Sequence, residues 1–128
     1  MSHQLRFRHL PGTWAVCRLG PDDPIPAWAG SNRFVSITRT PEELSVVCPA
    51  RQVPEGIRAQ ADWACLQLAG PFDFALTGIL ASFLQPLAEA QVPIFALSTF
   101  DTDWVLIPAG RLDRALAALD SAGHTRID

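Results

Sequence analysis

Two stretches of the chain begin alike, and this repetition limits the fold more than any other feature. WAVCRLGPDD at 14–23 and WACLQLAGPFD at 63–73 align Trp14 with Trp63, Ala15 with Ala64 and Leu19 with Leu68 at an offset of 49. One inserted residue then brings Gly20-Pro21 onto Gly70-Pro71. Further on, SITRTPEELSVVC (36–48) and ALSTFDTDWVLIP (96–108) align without a gap at an offset of 60, matching Ile37 with Leu97, Thr38 with Ser98 and Leu44 with Trp104. Each copy reads as a strand, a Gly-Pro turn, a spacer, a strand, a polar turn and a strand. A duplication of this kind comes before any single element, because whatever fold one half takes, the other takes a version of it.

The spacers differ. In the second copy, residues 71–91 carry apolar side chains at Phe72, Ala75, Leu76, Ile79, Leu80, Phe83, Leu84, Leu87 and Ala88. That is the i, i+3, i+4, i+7 stripe of an amphipathic helix over four turns. Pro71 suits a first helical position, where its missing N–H costs nothing. Pro86 is discordant, since it deletes a hydrogen bond to Ser82. In the first copy the spacer is GPDDPIPAWAGSN (20–32), whose three prolines exclude a regular helix. After the last strand, Leu112, Ala115, Leu116, Leu119 and Ala122 have helical spacing, Gly123 stands as a left-handed cap, and HTRID offers a short final strand. The second half therefore reads β-α-β-β-α-β, the split βαβ arrangement. The expected fold class is α+β: two fused ferredoxin-like modules, 1–60 and 61–128, the first degenerate with its first helix shortened or lost.

At 128 residues, 48% hydrophobic and 18% charged, the chain is globular and long enough for a real core. A net charge of −3 without basic clusters gives no reason to expect nucleic acid. No apolar run reaches the length of a membrane span, and the N-terminus lacks the apolar core of a signal peptide. Cys17, Cys48 and Cys65 have no metal-type spacing and read as buried thiols in a reducing compartment, with the cytoplasm as the default. No metal or cofactor is expected, and nothing in the pattern of histidines and thiols supports an enzyme.

GPFDFALTG at 70–78 followed by PIFALSTFDTDWVL at 93–106 resembles small bacterial ACT-domain proteins and is similar to the ACT repeats of the cytosolic arginine-sensor (CASTOR) family. The wording around 36–49 is similar to that group as well. The resemblance implies βαββαβ regulatory modules that bind amino acids at a seam between modules and pair into at least a dimer. It implies a ligand-contact role for Ser98, Thr99, Phe100, Asp101, Thr102 and Asp103.

Read from the residues alone, Ser98–Asp103 is an ordinary solvated turn between buried strands, since Asp, Ser and Thr are turn formers. Its carboxylates nevertheless complement the Gly70–Asp73 turn. If 70–73 opens a helix, its backbone N–H groups and the positive end of the dipole suit a carboxylate, and Gly70 allows close approach. Asp101 and Asp103, two apart, point the same way if the segment is extended. Thr77 lies on the less apolar flank of the helix beside Gly78, which costs it roughly 1 kcal/mol. The expected ligand-binding set is thus Gly70, Phe72, Asp73, Thr77 and Ser98 to Asp103. The expected function is a non-enzymatic amino-acid-binding regulatory protein, with a structural or protein-interaction module carrying a vestigial site as the alternative.

Overall fold

The computed structural model describes residues 3–73 and 75–128. Phe74, which lies inside the motif quoted above, is outside the described residues. The chain divides into two compact units, one of residues 12–63 and one of residues 1–11 with 64–128.

The unit of 12–63 is mostly strand. It holds the second part of β1 (Arg6–Leu19), β2 (Ser36–Arg39), β3 (Leu44–Pro49) and the start of β4 (Ala59–Leu68). β3 lies between β2 and β1, antiparallel to both, with Cys17 opposite Val46 and Arg39 opposite Leu44. Ala15, Cys17, Leu44, Val46 and Cys48 form its buried cluster, with Ala29, and Trp28 and Val35 pack against it. The proline-rich spacer forms only a single 3-10 turn, Ala27–Ala29, so the first copy has lost its first helix. Gln52 Nε2 pins that turn by donating to the carbonyls of Trp28 and Gly30, at 2.9 and 3.0 Å. Trp28 is therefore part of the packing.

The other unit carries α1 (Ile79–Glu89), β5 (Phe95–Ser98), β6 (Asp103–Pro108), α2 (Leu112–Ser121) and β7 (Thr125–Arg126). Its strand order is β7-β1-β4-β6-β5, so residues from the start of the chain lie between β7 and β4. β7 runs parallel to β1, with Arg6 opposite Thr125. Ile79, Phe83 and Leu87 on α1 and Ala115 and Leu119 on α2 are the buried faces the apolar spacing predicts. They close over Leu5, Phe7, Leu66, Leu68, Val105 and Ile107. Each large side chain removed from water there contributes roughly 1.5–3 kcal/mol, and Phe7 meets Phe83 edge-on at 5.4 Å. Gly123, at φ +92°, ends α2 as expected.

Three local expectations are corrected. First, α1 begins at Ile79, eight residues after Pro71; Gly78, at φ +78°, breaks the stripe. Phe72, Asp73, Ala75 and Leu76 are held instead by non-helical bonds. Phe72 N–H donates to Asp101 O at 2.9 Å, and the Asp73 carboxylate and carbonyl accept from the N–H groups of Ala75 and Leu76. The 70–73 segment is therefore not a helix start and has no dipole to offer.

Second, the repeat is one residue closer than the sequence pairing suggests. Thr40 and Thr99 hold the same place, each N–H donating three residues ahead, to Glu43 O at 2.9 Å and Thr102 O at 2.8 Å. Pro49 and Pro108 each precede a 3-10 turn in the same way. Third, Asp101 lies in the bend between β5 and β6 while Asp103 opens β6, so the two do not share one face of an extended strand.

Pro86 sits inside α1, which runs on to Glu89, and its missing N–H is replaced. Ser82 O, the acceptor it would have used, lies 2.9 Å from Nε2 of the buried His124, whose Nδ1 accepts from Leu5 N–H at 3.0 Å. With Nδ1 accepting, Nε2 is the donor.

Candidate functional site

The β5–β6 turn is built by its own side chains. Ser98 pairs with Asp103 in the strand register, and its hydroxyl donates to the Asp103 carboxylate at 2.5 Å. Thr99 Oγ1 donates to Thr102 O at 3.1 Å and accepts from Trp104 Nε1 at 3.2 Å. Thr102 is buried, and its hydroxyl donates to Leu68 O at 2.8 Å, tying the turn to β4. A small polar side chain is thus used at each place where a turn would otherwise leave a polar group without a partner.

Gly70 brings the second wall against this turn. A Cβ at that position would lie 2.6 Å from Asp101 O and 3.0 Å from Thr102 Cβ. The close approach is between the protein's own segments, and the Phe72–Asp101 hydrogen bond follows from it. Between the walls lies a cavity of about 200 Å³ lined by Phe72, Asp73, Leu76, Ile79 and the whole run Ser98 to Asp103. That volume is below the few hundred Å³ of drug-sized pockets and suits a ligand the size of an amino acid.

Of the ten expected site residues, eight line this cavity. Gly70 and Thr77 do not. Gly70 sets the spacing of the walls, and the Thr77 carbonyl is engaged at 2.9 Å by His3 Nε2. Leu76 and Ile79 line it and were not expected, because the helical stripe assigned them to the core. Gly78 within that stripe was the available sign that the helix starts late.

Among the described residues the lining carries three carboxylates, on Asp73, Asp101 and Asp103, and no lysine, arginine or histidine. A concave surface of one sign concentrates the opposite charge, so this cavity favours an ammonium or another cationic group. Among the described residues no group of three or more His, Cys, Asp or Glu side chains is arranged to hold a metal ion. The three cysteines are free and buried, and burial pushes the Cys48 thiol up to about 11, which makes it a poor nucleophile.

The family model described as "ACT domain" matches residues 58–121, half of the chain. The chain belongs to the ACT-domain family. A second model, described as an N-terminal domain, matches residues 12–56. The chain is 33% identical over 86 residues to the cytosolic arginine sensor for mTORC1 subunit 1 of Bos taurus, a match covering 59% of this chain and 26% of that protein. The ACT-domain chain thus spans about a quarter of that relative's length. The crystal structure of protein Atu0741 from Agobacterium tumefaciens superposes with a TM-score of 0.93 at 38% identity, covering 98% of this chain and 94% of that one. The regulatory subunit of aspartate kinase from Thermus flavus shares the fold, with a TM-score of 0.65 at 15% identity, covering 91% and 95% of the two chains. No helix among the described residues is long and apolar enough to cross a membrane.

Proposed function

We propose that this ACT-domain chain is a non-enzymatic, cytosolic regulatory protein that binds an amino acid in the cavity that Phe72, Asp73, Leu76 and Ile79 form with residues 98–103, and that it works as a homodimer without contacting nucleic acid or membrane. The observation that carries the reading is the convergence of two separated segments on one small acidic cavity. Asp73, Asp101 and Asp103 would receive the ligand's ammonium. Its carboxylate would turn towards the start of α1, which begins beside the cavity at Ile79 without a side-chain cap. The names of the relatives, an arginine sensor and a regulatory subunit, support an amino-acid ligand.

A panel of amino acids in a thermal-shift assay tests this. A ligand present at about a hundred times its Kd adds about 2.7 kcal/mol to stability, and Asp101→Asn should weaken the binder that is found. No shift with any amino acid at millimolar concentration would sink the reading. A second reading, an interaction module with a vestigial site, draws on the lip of the cavity, where Phe100 is 79% and Leu76 50% exposed. It predicts an oligomer, seen by light scattering, that no amino acid alters.

A further inference from the structure

The repeat allows the occupied and unoccupied forms of one site to be compared within a single chain. In the unit of 12–63, Arg39 is the last residue of β2, immediately before the turn that starts at Thr40. Its counterpart before Thr99 is Ser98, which lines the cavity. The Gly-Pro pairs place Pro21 and Asp23 opposite Pro71 and Asp73. The Arg39 guanidinium reaches across to that first-copy turn, where Nη1 donates to Pro21 O and Nη2 donates to Asp23 O at 2.9 Å. The turn is itself fixed, since the Asp23 carboxylate accepts from Gly20 N–H at 2.7 Å. A planar cation with several donors therefore spans, in the first copy, the gap that the short side chain of Ser98 leaves open in the second.

We propose that Arg39 is a built-in occupant of the first copy's version of the site. One chain then presents one open site, and removing the Arg39 side chain uncovers a second that accepts a guanidinium-type cation. The count of one open site rests on the function proposed above; the occupancy by Arg39 does not.

The test uses Arg39→Ala and the unaltered protein, each unfolded thermally with ethylguanidinium chloride, ethylammonium chloride or sodium chloride at equal millimolar concentration. The expected result is a lower midpoint for the variant, raised by ethylguanidinium more than by ethylammonium, with no such difference in the unaltered protein. Equal responses to the two organic cations, or an ethylguanidinium response equally large in the unaltered protein, would overturn the proposal. If Arg39→Ala does not fold unaided, its refolding yield from urea with each cation gives the same comparison. No amino acid is present, so failure here is separate from failure of the amino-acid reading. In calorimetric titration with an amino acid that binds, the unaltered chain should take one equivalent.

Discussion

Gly70→Ala probes the joint that holds the two walls of the cavity together. The added methyl would lie 2.6 Å from Asp101 O, and ordinary contact begins at 3.4 Å, so the walls must part by about 0.8 Å. Asp101 O is backbone and is also the acceptor of Phe72 N–H at 2.9 Å, so the parting strains that bond as well. Overpacking of this kind costs about 1–3 kcal/mol, and the weakened hydrogen bond about 1 kcal/mol more. Alanine restricts the unfolded chain and returns roughly 0.4–1 kcal/mol. The net loss is about 1–3.6 kcal/mol, which for a domain of this size lowers the thermal midpoint by roughly 4–14 °C. Gly110→Ala is the control, since a Cβ there meets nothing within 4 Å and the same restriction of the unfolded chain raises the midpoint by roughly 2–4 °C. Differential scanning calorimetry measures both, and the thermal shift given by any amino-acid ligand should shrink in Gly70→Ala alone. A Gly70→Ala protein as stable as the control, with the ligand shift intact, would refute the claim that this contact sets the cavity.

The exchange between Pro86 and His124 predicts a coupled pair. His124→Ala leaves Leu5 N–H and Ser82 O without these partners and costs about 2–4 kcal/mol by urea unfolding; Pro86→Ala restores a helical donor for Ser82 O, so the histidine substitution should cost less in that background, and strict additivity would remove the explanation. Acid should remove one contact at the end of the chain. The hydrogen bond from Arg126, at 2.9 Å, holds the Asp128 carboxyl down at about 2, below its ordinary 3.8. Its contribution is therefore present above pH 3.8 and lost as pH falls through about 2. Asp128→Asn should lower stability at pH 6 slightly and match the unaltered protein near pH 2, read from urea midpoints across that range.

How much of this was legible in the sequence depends on the distance over which each feature is determined. Ile94–Leu97 and Trp104–Ile107 read as strands because their own side chains are apolar, and the acidic, hydroxyl-rich turn between them was visible for the same local reason. The late start of α1 was not. Phe72 and Leu76 satisfy helical periodicity, Gly78 was the one local sign against it, and the contact of Gly70 with Asp101, made by a segment about thirty residues away, holds that turn outside the helix. Pro86 looked like a fault because the group that replaces its hydrogen bond lies 42 positions from Ser82. The register of the repeat slipped by one because Val46-Val47 and Leu106-Ile107 are apolar in either alignment. The turn bonds of Thr40 and Thr99 decide between them, and that one residue sets Arg39 against Ser98 instead of Thr99. A short side chain then stands where its counterpart carries a guanidinium. The second copy keeps an acidic cavity there, while in the first copy Arg39 donates to the backbone of the facing turn. The acidic character of the cavity was thus readable from composition, whereas its walls follow from contacts that sequence spacing does not encode.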